Sequence, residues 1–208
     1  MPYDRVDFDR ISAMTIKQVI VARRGTLVVT FALVAVFILE VAFGAAGSER
    51  ALVPLGALRT RGWSAADWWR ILTFSFLHLT WWHLAINSVG LLWLGGIVER
   101  RLGSAGFAAI FAGGAAASGA AGMLLGPYLP TTGIVIGASG VVSGLLAVAL
   151  MLALRKQSLQ LSEGDQRLRR PLLICFIAVI GISFVPGVSF AGHLGGFAGG
   201  ALMASMFT

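Results

Sequence analysis

The chain alternates between long apolar runs and short polar or charged connections. A helix needs about 20 residues to cross a bilayer, and six runs reach or approach that length. They lie at residues 26–46, 82–98, 104–125, 134–154, 171–186 and 188–207. The second and fifth runs are short. The pattern predicts an all-α membrane protein with six transmembrane helices.

The break between the last two runs depends mainly on Pro186-Gly187, which could also be a kink within one helix. A single helix over residues 171–207 would be more than about 50 Å long at 1.5 Å per residue. Since the hydrocarbon core is only about 30 Å thick, we expect two crossings here.

Composition agrees with a membrane bundle. The chain is 57% apolar and 12% charged, with 27 glycines, whereas about a quarter of the residues in a soluble domain are charged. Glycine within apolar runs is typical of helices that pack together in lipid. We expect one six-helix domain over residues 26–208, preceded by a short cytoplasmic tail, residues 1–25. The polar start of the chain argues against a signal peptide.

The net charge of +7 does not indicate a nucleic-acid partner, because the basic residues form short clusters between the apolar runs. With six crossings, twelve of the 16 Lys and Arg residues fall on the side of both termini. The positive-inside rule therefore places both termini in the cytoplasm and the 47–81 connection outside. That connection is long and rich in Trp and Arg, so a partly membrane-embedded loop and an ordinary loop with an aromatic belt are both open.

Four polar side chains within the apolar runs fall at a similar depth near the outer face. Ser139 and His193 each lie about five residues into a run that enters from outside. His83 and Asn87 are four residues apart near the outer end of another run, so they share one helix face. Ionisable groups inside a membrane are costly and usually functional. A hydroxyl and an imidazole at one depth are the minimum parts of a serine nucleophile and its base.

The acidic residues limit the kind of site that can form. None of the nine lies in the outer part of the Ser139 or His193 run, so a Ser-His dyad is favoured over a triad. The three histidines, His78, His83 and His193, could supply three zinc ligands. No His-Glu-x-x-His helix supplies a base, however, so we expect no metal and no cofactor. The lone Cys175 offers neither an internal disulfide nor a thiolate metal site.

Taken in order, these residues resemble the rhomboid intramembrane serine proteases over roughly residues 50–207. The resemblance is carried by His83-x-x-x-Asn87, Gly137-x-Ser139-Gly140 and His193-x-x-Gly196-x-x-x-Gly200. Trp69-Arg70 and the segment from Gly95 to Gly103 also match. Any one motif is weak, but the ordered set is specific. The resemblance implies a six-helix bundle whose Ser139 helix starts deep in a water-filled cavity open to the outside.

The resemblance also implies a role for each residue. Ser139 would be the nucleophile and His193 its base, and the Ser139 N–H with His83 and Asn87 would form the oxyanion hole. An imidazole N–H and an amide NH2 suit a negative oxygen on chemical grounds as well. Glycines four residues apart would let the Ser139 and His193 helices approach closely. The packing set is Gly137, Gly140, Gly144, Gly196 and Gly200.

One position departs from the family pattern. Many members carry an aromatic residue four positions after the serine, packed on the catalytic imidazole, and Ser143 stands here instead. Another hydrogen-bonding group or a neighbouring aromatic must then orient His193. The fifth run with its Pro186-Gly187 joint resembles the family's lateral gate, although a fixed helix with a tight turn fits the sequence equally well.

The first functional hypothesis is therefore an intramembrane endopeptidase that cleaves transmembrane protein substrates in the lipid bilayer, near the outer end of their helices. The alternative is a non-catalytic rhomboid-like protein that binds membrane clients. A small-solute transporter is disfavoured because no inverted repeat is evident. The expected location is a bacterial plasma membrane, with the active site open to the extracytoplasmic side. The substrate and the oligomeric state are not predicted.

Overall fold

The computed structural model describes residues 23–129, 133–154 and 163–206, which form a helical bundle with one two-stranded sheet. The longer helices are α1 (Arg24–Ala42), α4 (Trp81–Gly90), α5 (Gly96–Leu125), α6 (Ser139–Leu154), α7 (Glu163–Ile182) and α8 (Phe190–Ser205). Two short helices, α2 (Glu49–Leu55) and α3 (Arg70–Thr73), lie between α1 and α4. The strands are β1 (Leu58–Arg59) and β2 (Ile134–Val135).

Helix α6, which begins at Ser139, lies in the middle of the bundle. Most of its residues are buried, including Val141, Leu145 and Leu146. They belong to the main apolar cluster, to which α1, α4, α5, α7 and α8 also contribute. A helix that is apolar all round is expected at such a central position. The nucleophile candidate therefore stands at the start of the most enclosed helix.

Helices α4 and α5 follow one another through a π-helical turn, Leu91–Gly95. Helix α5 is interrupted at Gly103, whose φ of 72° and ψ of 174° are not helical. Glycine adopts this conformation without a steric penalty. The interruption falls between the predicted runs 82–98 and 104–125, as the apolar pattern requires.

The connection between α1 and α4 is held together around Arg70. The Arg70 guanidinium donates to Asp67 Oδ1 at 2.7 Å and to the carbonyl oxygens of Val53 and Ala57. Asp67 also accepts the Ser64 N–H at 2.9 Å. The Ser64 N–H bond, followed by the Arg70 side-chain bond, lowers the pKa of Asp67 below its usual range. An ordered connection is thus built from local polar contacts.

The sheet ties this connection to the segment that precedes Ser139. Leu58 pairs with Val135 and Arg59 with Ile134, in antiparallel order. Here the structure corrects the sequence prediction. The run 134–154 is not one helix, because its first two residues are in β2 and α6 begins only at Ser139.

The other predicted runs coincide with helices whose bounds differ at the ends. Helix α7 begins at Glu163, eight residues before the predicted start at 171, and ends at Ile182. Helix α8 begins at Phe190, so the last two runs form separate helices. The tail, residues 1–25, lies outside the described residues except for its last three.

Two helical stretches of the described residues are long and apolar enough to cross a membrane. They are Arg24–Ala42 and the continuous stretch Trp81–Tyr128. Helix α6 is apolar but shorter, with 16 residues. Large apolar side chains on α1 and α7 point away from the bundle, as in a protein whose outer surface meets lipid.

Candidate active site

A cavity of about 330 Å³ lies where the loop before α6 meets α4, α5 and α8. Of the residues predicted from the sequence, the side chains of His83, Ser139 and His193 and the glycines Gly137 and Gly140 line this cavity. The loop between α7 and α8 contributes Pro186, Gly187, Val188 and Ser189 to another part of its wall. The structure therefore brings together at this cavity three of the four side chains that the sequence placed at one depth; Asn87 is not among the lining residues.

Ser139 is the first residue of α6, and its position depends on Gly137. Gly137 has a positive φ of 99°, which favours glycine. Its N–H donates to the Phe74 carbonyl at 2.9 Å. A Cβ at Gly137 would lie 2.5 Å from His83 Nε2 and 3.3 Å from Asn87 Nδ2. Only glycine lets the chain pass so close to both side chains before it turns into α6.

The start of α6 also supplies hydrogen-bond donors. The first N–H groups of a helix have no acceptor within the helix, and they carry the positive end of its dipole. The Ser139 N–H is the first of these, on the same short segment as Gly137. A developing negative oxygen near Ser139 would meet these donors.

His83 and Asn87 approach from α4. The Thr80 hydroxyl caps α4 by accepting the His83 N–H at 3.3 Å, which fixes the start of the helix. Asn87 is only 4% exposed, and its Nδ2 has no hydrogen-bond partner among the described residues. A buried amide donor without an acceptor is costly and indicates a site where an acceptor binds.

His78, which the sequence suggested only as a possible zinc ligand, lies beneath His83. The two rings meet edge to face with centroids 5.0 Å apart. The His78 N–H donates to the Glu40 carboxylate of α1, and its Nδ1 lies 3.2 Å from the Phe76 carbonyl oxygen. His78 therefore packs behind His83 and does not line the cavity.

His193 lies in the first turn of α8 and is 8% exposed. The Ser189 hydroxyl caps this helix by accepting the Gly192 N–H at 3.1 Å. Among the described residues, no hydrogen bond joins His193 Nε2 to Ser139 Oγ. Hydrogen bonds between catalytic groups are often long without a substrate and shorten when it binds.

Helices α6 and α8 pack backbone to backbone through the predicted glycines. A Cβ on Gly196 would overlap the Gly140 carbonyl oxygen, and one on Gly200 would overlap Gly144. A Cβ on Gly144 would lie 2.9 Å from the Gly196 oxygen. Since any side chain here would separate the helices, these glycines set the approach of the two helices that carry Ser139 and His193.

Ser143 bonds within its own helix and not to His193. The Ser143 hydroxyl donates to the Ser139 carbonyl oxygen at 2.9 Å, one turn back along α6. The imidazole Nδ1 of His193 instead lies 2.7 Å from the hydroxyl of Ser183, which follows the last residue of α7. Sequence reasoning did not find Ser183. Its only signal was a polar residue near the end of the fifth apolar run, ten positions before the histidine.

Ser118 of α5 is a second residue that sequence reasoning missed. It is buried, it lines the cavity, and its Oγ has no hydrogen-bond partner among the described residues. Its hydroxyl fills the space that a side chain at Gly140 would need. In the sequence, Ser118 is hidden among the Gly and Ala residues of α5.

The site thus contains the Ser139 hydroxyl at the start of α6, the His193 imidazole at the same cavity and the unpaired amide donor of Asn87 nearby. These groups can carry out acyl transfer at one carbonyl carbon. Among the described residues, no group of three His, Cys, Asp or Glu side chains could hold a metal ion.

Comparison with known proteins identifies the family. Residues 65–208 match the Rhomboid domain model. The chain is 32% identical over 170 residues to rhomboid protease GluP of Bacillus subtilis, covering 81% of this chain and 32% of that protein. It is 30% identical over 162 residues to rhomboid-like protease 3 of Toxoplasma gondii, covering 77% of this chain and 59% of the relative.

A plant relative, RHOMBOID-like protein 1 of Arabidopsis thaliana, is 30% identical over 139 residues, 67% of this chain and 34% of that protein. The chain therefore spans between about one third and three fifths of the length of these relatives. The family match itself covers more than half of this chain and includes His83, Asn87, Ser139 and His193. The chain belongs to the rhomboid family of integral membrane proteins.

Proposed function

We propose that the protein is an intramembrane serine endopeptidase that hydrolyses peptide bonds in or next to transmembrane segments. The observation that carries the proposal is the meeting of Ser139 and His193 at one cavity, next to the unpaired Asn87 amide. Relatives named as proteases support it.

The proposed reaction begins when Ser139 Oγ attacks the scissile carbonyl carbon and His193 Nε2 takes the hydroxyl proton. The oxyanion then accepts hydrogen bonds from the Ser139 N–H and from Asn87 and His83. Collapse of the tetrahedral intermediate breaks the peptide C–N bond, and His193 protonates the leaving amine. Water from the cavity, activated by His193, hydrolyses the acyl-enzyme and frees Ser139.

The decisive experiment compares the wild type with Ser139→Ala and His193→Ala on a panel of model transmembrane substrates in liposomes. We expect each variant to lose cleavage, because each removes a reacting group. Ser205→Ala, a serine at the other end of α8, is the matched control and should cleave normally. Undiminished cutting by Ser139→Ala would refute the proposal.

The oxyanion hole has its own test. Removal of one donor typically lowers kcat by about 10²–10³-fold. We expect Asn87→Ala to show a loss of that size with little change in KM, because the bond forms only to the transition state. A KM effect alone would instead place Asn87 in substrate binding.

The second candidate function is a non-catalytic protein that binds membrane clients. A fluorophosphonate probe separates the two, because it labels only an activated serine. We expect the wild type to be labelled and Ser139→Ala to remain unlabelled. A wild type that binds transmembrane peptides but takes no label would favour the second function.

We also propose that six segments cross the bilayer, with both termini cytoplasmic and the cavity open to the extracytoplasmic side. The distribution of Lys and Arg supports this topology. In a Cys175→Ser background, single cysteines in place of Arg50 and Arg170 should react with an impermeant maleimide from opposite sides of sealed vesicles. Labelling from the same side would contradict the topology.

A further inference from the structure

We propose that Ser183 is a positioning residue for the catalytic base and takes the place that a carboxylate has in a Ser-His-Asp triad. In this role Ser183 holds the His193 ring in one orientation and in the tautomer with the proton on Nδ1. The inference deepens the proposed function and rests on it, since a positioned base matters only if Ser139 is a nucleophile.

The tautomer follows from the number of hydrogens available. Ser183 Oγ lies 2.6 Å from the Val179 carbonyl oxygen and 2.7 Å from His193 Nδ1. A hydroxyl has one hydrogen to donate, and a carbonyl oxygen can only accept. The Ser183 hydrogen therefore goes to Val179, and Nδ1 must donate its own hydrogen to Ser183.

A proton on Nδ1 leaves the lone pair of the neutral ring on Nε2. This is the atom that a base in this position must present to the Ser139 hydroxyl. In the opposite tautomer Nδ1 could only accept, so the Ser183 hydroxyl would have to give up its bond to the Val179 carbonyl oxygen, and Nε2 could not accept the Ser139 proton. The bond to Ser183 thus selects the active form of His193 before any substrate arrives.

The burial of Ser183 and His193 strengthens the preference for the Nδ1–H tautomer. Ser183 is 5% exposed and His193 8% exposed, so little water competes for either group. An unmade hydrogen bond in such a place costs more than one at a wet surface. The two bonds run in series from Nδ1 through the hydroxyl to the carbonyl, so each one polarises the other. When His193 becomes positively charged, the hydroxyl oxygen can stabilise the charge without being ionised itself.

The kinetic test uses Ser183→Ala and Ser183→Thr, with Thr30→Val as the matched control. Thr30 also donates its hydroxyl one turn back, to the Thr26 carbonyl of α1, but it has no contact with the cavity. We expect Ser183→Ala to lower kcat by about tenfold, the rate equivalent of one lost hydrogen bond. KM should stay within about twofold, because the loss arises in the transition state.

Threonine keeps the hydroxyl, so Ser183→Thr should return kcat to within about threefold of the wild type. Thr30→Val should cleave like the wild type. A merely structural role for Ser183 predicts a different result, namely lower thermal stability with an unchanged kcat per active molecule. Normal kcat in Ser183→Ala would overturn the inference.

The tautomer can be observed directly by ¹⁵N NMR of protein labelled at histidine, with His193 assigned from a His193→Gln spectrum. We expect the wild type to show one His193 tautomer, with the proton on Nδ1. Ser183→Ala should show a mixture or the opposite tautomer. A wild type protonated on Nε2 would overturn the inference.

The cleavage assay and the NMR spectrum together distinguish a failure of the proposed protease function from a failure of the positioning role of Ser183. A wild type that shows the Nδ1–H tautomer but cleaves no substrate would refute the proposed function and leave the geometry of His193 intact. A wild type whose cleavage depends on Ser139 but not on Ser183 would refute the positioning role alone.

Discussion

Helices α7 and α8 both pack against the Ser139 helix, yet they do so in different ways. Helix α8 contacts α6 through Gly196 and Gly200, where backbone meets backbone. Helix α7 contacts the core through larger side chains such as Leu172 and Phe176. The ring centroids of Phe176 and of Phe197 on α8 are 5.0 Å apart. Helix backbone atoms cannot rotate away from a contact, whereas a side chain can change its rotamer, so the α6–α8 contact allows less adjustment than the α6–α7 contact.

The outer faces of the two helices differ as well. On α7, Ile174 and Ile177 are each 67% exposed. The first half of α8 presents buried Ala191, Gly192 and His193 to its neighbours. The catalytic base candidate thus belongs to the tightly packed helix, while its partner Ser183 follows the end of the more exposed one. Movement of the α7 end would change the orientation of His193 without moving α8.

The largest effect should come from a methyl group between α6 and α8. In Gly196→Ala the added Cβ would overlap the Gly140 carbonyl oxygen, and backbone cannot rotate away as a side chain can. We expect a stability loss at the upper end of about 1–3 kcal/mol. Activity should fall by about 10²-fold, since a shift of about 1 Å between Ser139 and His193 suffices for that.

Thermal unfolding in detergent and liposome cleavage measure the two consequences of Gly196→Ala. Normal activity in this variant would mean that α6 and α8 tolerate separation, and the contrast between α8 and α7 would disappear.

Removal of a large side chain from α7 should have a smaller effect. Leu172 is fully buried against the core, so Leu172→Ala leaves a cavity. In lipid the unfolded helix does not meet water, and only the cavity part of the usual cost remains. We therefore expect a loss of about 1–2 kcal/mol in steric-trap or denaturant unfolding. A loss larger than that of Gly196→Ala would reverse the ranking of the two helices.

Periodicity and spacing predicted most of the helices and placed His83, Ser139 and His193 near one another, as the shared cavity shows. Glycines four residues apart on two runs indicated a close helix pair, because that spacing leaves one helix face free of side chains. His83 and Asn87 shared a face for the same reason. The close contact of α6 and α8 is confirmed, because the information for it lies in a spacing repeated along each helix.

The parts that the sequence did not predict depend on contacts between distant segments. Ile134 and Val135 are apolar like the rest of the predicted run 134–154. Nothing in the neighbouring sequence therefore showed that they pair with Leu58 and Arg59. The bond from Ser183 to His193 requires α7 to end at Ile182 and the next residue to turn inward. Such details arise from the packing of whole helices, which hydropathy does not describe.

The smallest effect is expected for Gly181→Ala on α7, which makes the same change as Gly196→Ala on α8. A Cβ at Gly181 would meet nothing within 4 Å, in contrast to one at Gly196. Gly181→Ala should raise stability by about 0.5–1 kcal/mol, because alanine loses less backbone entropy in a helix than glycine. Cleavage should remain within about twofold of the wild type, since no contact of Ser183 or His193 changes. Thermal unfolding and liposome assays run beside Gly196→Ala give the direct contrast. If Gly181→Ala raised stability but lowered kcat, the end of α7 would have to bend at this glycine during turnover, and the freedom of α7 would be part of the reaction cycle.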